Sequence, residues 1–551
     1  MRPTFLQTVL PSLGIFLAIF AAILLLHLPL LRLPYYWDEA GYYVPAARDL
    51  LLTGSLIPHT TLTNAHPPLA MAWLALCWKI FGFNPPVTRV AMLAVAAFAL
   101  TGLFQLAKHL SNATVATATV GLTALYPVFF AQSSLAHVDL AAAGFTFWAL
   151  HAYFEDRPWG TCLWFALAAL AKETAVLAPL ALACWEIAAP RIVRGEAQAR
   201  WLRFSDVSPR RIAVLLGALL PLLCWFAYHY HQTGFVFGNP EFFRYNVQST
   251  IHPLRILLAL VGRLWQVFGH LHLLVLTLLM FAAMLLRPRQ SNGQDLHRIA
   301  LPVQLTLAMV MLAYIAALSV IGGALLARYM LPVVPLTILF AVSTVWRRVS
   351  QWSLVLGFVA VAFVVGWFLN PPYGFAFEDN LAYRDYVSLH VSAAQYVQSH
   401  YARSTVLTAW TASDELTRPF LGYVQKPVRV VSIQGFSADE LLGAAQGPVA
   451  YDAALVFSTK YEPRLDLLNN KLWVRLKTRF FGYHHDLPPP VAARILGGHI
   501  VYEEHRGEQW IAVIAMDRPM EAASPSDPRQ SPPNKMARMR LDDEPHLAPG
   551  L

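Results

Sequence analysis

The stretch VLPSLGIFLAIFAAILLLHLPLLRL, residues 9–33, runs straight into PYYWDEAGYY, residues 34–43. Its apolar run is longer than the roughly 7–15 residues of a signal-peptide core and reaches the about 20 needed to cross a bilayer. No small-residue cleavage site follows, so the segment is expected to stay as a membrane anchor. Working outward, comparable runs recur at 88–108, 112–130, 139–154, 159–171, 174–189, 212–231, 256–286, 301–321, 326–345 and 352–369. They predict a polytopic α-helical membrane protein with about 11 transmembrane helices. Residues 371–551 contain no such run. The composition agrees, with 57% hydrophobic against 13% charged residues, far from a soluble globular average.

A net charge of +9 would suit nucleic acid, but the cations stand in the short loops between apolar runs, so no nucleic-acid partner is expected. With the N-terminus in the cytoplasm, one side collects Lys108, Arg157, Arg191, Arg194, Arg200, Arg203, Arg210, Arg211, Arg287, Arg289, Arg298, Arg347 and Arg348, as the positive-inside bias requires. This threading treats Leu69 to Phe81 as an interfacial or re-entrant helix, because a dozen or so residues fall short of the about 20 needed to span. It makes 34–87 a large first external loop within a transmembrane domain, 1–370. It also places the chain beyond 370 outside. All four cysteines (Cys77, Cys162, Cys184, Cys224) lie in apolar segments, so no disulfide framework holds the polar part.

In that polar part, β-branched and aromatic runs at 404–410, 428–433 and 449–458 read as strands. Residues 392–400 read as a helix, and 499–504 with 509–516 as a hairpin. An extracytoplasmic α/β domain is therefore expected over 371–520. The Pro-, Ser- and charge-rich residues 521–551 are expected to form a disordered tail.

Ionisable residues at membrane depth are costly and usually paired or functional. The threading gathers Asp38, Glu39, His66, Arg89, Asp139, Lys172, Glu173 and Arg328 at the outer face. Each has a bland alternative. Asp38, Glu39 and Asp139 suit helix caps, Arg328 a snorkelling arginine, Lys172-Glu173 a structural ion pair, and His66 a solvated loop position. A lone cap or snorkel does not predict that cations and carboxylates collect at one level. Fixed cations suit a lipid phosphate. A carboxylate among the rings of Tyr35-Tyr-Trp-Asp-Glu suits base work on an acceptor hydroxyl or amine. There is no Walker motif and no tight metal-ligand spacing, so neither cofactor nor metal is assigned, although a divalent ion stays open.

These residues resemble the membrane-embedded C-type glycosyltransferases, the clan of protein O-mannosyltransferases and of the aminoarabinose transferases that modify lipid A. The matching pieces are Trp37-Asp-Glu, His66-Pro-Pro-Leu, Phe81-Gly-Phe-Asn before Arg89, Tyr126-Pro-Val-Phe-Phe up to Asp139, Leu170-Ala-Lys-Glu and Arg328-Tyr-Met-Leu-Pro. Their order matches over roughly 30–190 and more loosely to about 370. The resemblance implies Asp38 as base with Glu39 beside it. It implies Arg89, Lys172 and Arg328 as contacts to the donor phosphate, with His66, Asp139 and Glu173 in support. The partners it implies are a polyprenyl-phosphate-linked sugar, membrane lipids and an extracytoplasmic lipid, glycan or protein acceptor. The implied location is the cytoplasmic membrane. This chain departs from the pattern after Lys172, where many relatives carry Lys-Gly. A transporter or lipid flippase is the rival reading. Such proteins place their polar site near the midplane between repeated halves, and no internal repeat is visible. An extracytoplasmic sensor or scaffold would leave the Asp-Glu pair without a role.

Overall fold

The computed structural model describes residues 5–192, 207–463 and 470–517. The expected tail at 521–551, and Arg194, Arg200 and Arg203, lie outside the described residues. The chain forms two compact units: Met1–Arg32, Tyr42–Asn370 and Glu378–Ala382 make one, and Leu33–Gly41, Pro371–Phe377 and Tyr383–Leu551 the other. This division departs from a cut at 370 in two places. Residues 33–41 join the second unit, and 378–382 join the first.

The first unit is helical over most of its apolar runs. Six stretches are long and apolar enough to cross a membrane among the described residues: Pro11–Leu30, Pro85–Leu110, Glu173–Ile192, Pro209–Thr233, Pro253–Met284 and Leu301–Val320. Shorter apolar helices cover Ala113–Leu125, Pro158–Ala171 and Trp352–Phe368, and further helices run over Asp139–Phe154 and Val334–Arg348. The protein is a polytopic membrane protein. Several starts are written locally. The Asn84 side chain accepts the Val87 N–H with Pro85 as first helical residue, and Asn112 does the same for Val115. Each satisfies a backbone donor that the helix leaves open.

The apolar run read as one span over 256–286 is broken. Helices Pro253–Phe268 and Leu273–Met284 meet at a kink where Leu271 and His272 have φ of 45° and 67°. The 13-residue helix Leu69–Phe81 buries Met71, Leu74 and Trp78 and exposes Leu76, Ile80 and Phe81. At about 1.5 Å per residue it is shorter than the hydrocarbon core.

Small residues let the helices approach. A Cβ on Gly144 would stand 2.9 Å from the Cβ of Ala99, so Asp139–Phe154 packs directly on the backbone of Pro85–Leu110, as is usual where lipid supplies no hydrophobic drive. Polar side chains collect at both ends of that same helix. At its end, Tyr153 donates to Glu186 at 2.5 Å, and Arg211 reaches both Glu186 and Asp156. At its start stands Asp139, about 21 Å away by helical rise.

The second unit is built on a five-stranded sheet in the order Arg429–Ile433, Thr405–Ala409, Ala453–Phe457, Gln509–Met516, Gly498–Arg506. The first three strands are parallel, and the last two add antiparallel as a hairpin. Ala453–Phe457 is buried throughout, as a continuous apolar central strand must be. Helix Ala382–His400 lies on this unit, with Tyr396 stacked on Tyr502 at 4.8 Å. It begins ten residues before the 392–400 segment read from sequence. Tyr383, Tyr386, Val387 and His390 in that first part are buried, and buried Tyr and His among polar neighbours do not announce a helix face.

Candidate active site

Within the helical unit, a break between helices places the central cation. Pro158–Ala171 ends at Lys172, whose backbone is extended (φ −152°, ψ 132°), and a short turn at Glu173–Val176 leads into Leu177–Ile192. An extended residue turns successive side chains to opposite sides, so Lys172 and Glu173 find different partners. Lys172 Nζ lies 2.5 Å from Asp139 Oδ1, and Glu173 Oε2 lies 2.8 Å from His66 Nδ1. They are not the ion pair with each other that their adjacency suggests.

Asp139 also faces Arg328, at 3.5 Å from Nε, and Arg328 Nη1 donates to Glu378 at 2.8 Å. His137 packs against the same guanidinium and shares a hydrogen bond with Gln132, whose amide reaches the Glu378 carbonyl. Arg89, 1% exposed, donates to the Ser134 carbonyl of the loop that carries His137. The Tyr43 ring stands 5.8 Å from both His66 and His137. His66 also lines a cavity with Tyr42, Tyr43, Thr63, Asn64 and Trp225.

Three cations surround one ring. Lys172 Nζ lies 3.8 Å from the Tyr329 centroid, Arg263 at 5.4 Å and Arg328 at 5.6 Å. Arg263 is fully buried and donates to Gln266 and to the carbonyls of Leu318, Ala324 and Leu326. Arg255 donates to the carbonyls of Gly322 and Gly323. Two arginines of one helix thus fix the loop that delivers Arg328. Lys172 and Arg328 share Asp139, and Arg328 also meets Glu378. Buried cations gathered at one place suit an anionic ligand.

Six of the eight residues singled out from sequence, namely His66, Arg89, Asp139, Lys172, Glu173 and Arg328, belong to this unit. Asp38 and Glu39 belong to the other. There Glu39, wholly buried, accepts the Tyr36 N–H at 2.8 Å. It closes the turn, while Asp38 is part-exposed. Sequence reasoning missed His137, Arg263, Tyr329 and Glu378. Arg255 and Arg263 carried a readable signal, since two arginines eight residues apart in an apolar run share a helix face. Glu378 carried none, standing beyond the last apolar run.

Residues 65–225 match the family described as dolichyl-phosphate-mannose-protein mannosyltransferase. The ArnT protein of Cupriavidus metallidurans in its apo crystal structure superposes with a TM-score of 0.52 at 14% identity, covering 92% of this chain and 98% of that one.

The chain shares its overall fold with ArnT.

The structure of the same Cupriavidus protein bound to undecaprenyl phosphate gives a TM-score of 0.50 at 14% identity, over 93% of this chain and 98% of that one. An oligosaccharyltransferase of Archaeoglobus fulgidus gives 0.44 at 12% identity, over 90% of this chain and 74% of that one. No curated protein matches the chain significantly by sequence.

Proposed function

We propose that this protein transfers a sugar from a polyprenyl-phosphate donor to an extracytoplasmic lipid, glycan or protein acceptor by direct displacement. The observation that carries the reading is the convergence of Lys172, Arg263 and Arg328 on Tyr329. A protein of like fold has been crystallised with undecaprenyl phosphate, which supports a lipid phosphate as the anion. In the reaction, the acceptor oxygen or nitrogen loses its proton to the Asp38 carboxylate and attacks the anomeric carbon. The bond from that carbon to the phosphate oxygen breaks, and the polyprenyl phosphate leaves with the electron pair. Fixed cations stabilise the charge that develops on the leaving phosphate, without reorganisation at the moment of reaction.

In this reading Arg328 and Lys172 grip the phosphate and Arg89 supports them through the 134–137 loop. Asp139 and Glu378 hold the two cations in place. His66 and Glu173 shape the adjoining cavity, and Glu39 keeps the turn that bears Asp38. The protein sits in the cytoplasmic membrane in about eleven crossings, with the α/β unit outside. No metal is assigned a role.

The test is transfer of labelled sugar from polyprenyl phosphate in membranes holding the protein. Label appearing in an acceptor, abolished by Asp38→Asn, supports the reading. Lipid moved between leaflets with no transfer would make it a transporter, and full activity in Asp38→Asn would remove the base assignment.

A further inference from the structure

We propose that the α/β unit is the template for the acidic turn, with Tyr386 and Trp410 as positioning residues for Asp38. The turn Tyr36–Gly41 belongs to the same compact unit as helix Ala382–His400 and the sheet. Its backbone is tied to that unit on the N-terminal side, where Tyr423 donates to the Tyr35 carbonyl at 3.0 Å and the Tyr35 N–H reaches the Leu421 carbonyl at 3.5 Å. It then folds on itself, through Glu39 N–H to the Tyr36 carbonyl and Gly41 N–H to the Trp37 carbonyl, both at 2.9 Å.

The residue beside Asp38 has a conformation that the local sequence does not favour. Trp37 has φ of +44°, a region that side chains with a Cβ rarely occupy unless their surroundings impose it. Those surroundings are aromatic. The Trp37 ring meets Trp410 edge-on at 5.1 Å and Tyr386 at 5.7 Å, while Tyr36 meets Tyr386 at 5.3 Å and Tyr383 at 5.9 Å. Edge-to-face contacts are directional, so the slot fixes the orientation of the Trp37 ring and with it the backbone on which Asp38 follows. Gly41 completes the fit. A Cβ there would stand 2.7 Å from Cζ2 of Trp410, closer than real contacts allow.

The two walls of the slot are themselves held. Tyr386 OH shares a hydrogen bond with Thr411 Oγ1 at 3.0 Å, Thr411 donates to Glu415 at 2.8 Å, and Glu415 meets His390 Nδ1 at 2.6 Å. All four side chains are buried, and His390 stacks on Tyr386 at 3.9 Å. The indole N–H of Trp410 donates to Asp414 at 3.1 Å. The first chain of bonds holds the Tyr386 ring and the separate bond to Asp414 holds Trp410, the two rings that receive Trp37.

The effect on rate rests on Asp38 being the base; the effect on the shape of the turn does not. The test therefore reads both, on full-length protein in membranes, with the native cysteines replaced for the labelling arm. Gly41→Ala is expected to lower kcat by about tenfold to a hundredfold, the effect of misplacing a reacting group by an ångström or so, with the donor KM within about twofold. Adding Trp410→Phe, which removes the obstructing ring edge, is expected to recover part of that loss. Tyr386→Ala is expected to change the labelling rate of Asp38→Cys severalfold by a soluble thiol reagent, and Tyr386→Phe to leave it near that of the parent. Unchanged labelling in Tyr386→Ala would overturn the template, as would, with Asp38→Asn inactive, wild-type kcat in folded Gly41→Ala or no relief from Trp410→Phe. Changed labelling together with a fully active Asp38→Asn would support the template and sink the base assignment instead.

Discussion

Arg328 Nη1 lies 2.8 Å from Glu378 Oε2, with side-chain exposures of 2% and 4%. The partners are fifty residues apart in sequence, and the contact joins the loop after helix Leu301–Val320 to the segment that follows helix Trp352–Phe368. Removing one member of such a pair leaves an uncompensated buried charge. Glu378→Gln is therefore expected to lower stability by about 3 kcal/mol, read as a lower Tm in detergent. A second change, Arg328→Met, should restore part of that loss. An unaltered Tm in the single variant would show that the pair is not structural.

Charge at Arg328 should also govern donor use. Arg328→Ala is expected to weaken donor use about ten- to hundredfold, corresponding to about 1.5 to 3 kcal/mol for a lost charge-assisted contact. The loss should be the same for every acceptor, because the phosphate is common to all. Arg328→Lys should recover only part of it, since lysine lacks the planar fork. Donor titrations at several acceptors are the measurement, and a loss confined to one acceptor would place Arg328 elsewhere.

Lys172 and Asp139 are expected to behave as one unit. Lys172→Met and Asp139→Asn should each lower both donor affinity and thermal stability, and the double variant should lose less than the sum by about 1 kcal/mol or more. Additive losses would mean that the 2.5 Å contact contributes no coupling. Lys172→Met combined with Glu173→Gln should instead show little coupling, because Glu173 is engaged with His66.

Topology is open to a direct measurement. In a background without native cysteines, single cysteines near Asp38 and in the α/β unit should react with an impermeant thiol reagent applied from outside. One near Arg200 should react only after permeabilisation. The opposite pattern would invert the threading and with it the case for a lipid-linked donor.

Much of the candidate cluster was open to sequence because a charge within or at the end of an apolar run is conspicuous whatever its neighbours. Arg89, Asp139, Lys172 and Arg328 stood out that way, and the helical unit contains all of them together with His66. Pairing was not legible. Adjacency suggested Lys172 with Glu173, but the extended backbone at Lys172 separates them. Glu39 beside Asp38 suggested a second functional carboxylate, and its side chain closes the turn at Tyr36.

The sequence by itself determined the class of solvent this protein folds in, since the length and polarity of an apolar run set whether a helix can cross hydrocarbon. It also determined where many helices begin, because Asn84-Pro85 and Asn112 satisfy their own neighbours' N–H groups. Only tertiary structure decided which charges meet and which unit holds the turn of Asp38. Local signals act across one helical turn, whereas Lys172 with Asp139 is separated by 33 residues, Arg328 with His137 by 191 and Tyr423 with Tyr35 by 388. Contacts at that separation depend on where packed helices and strands leave two segments facing each other, and no periodicity within a single segment records it.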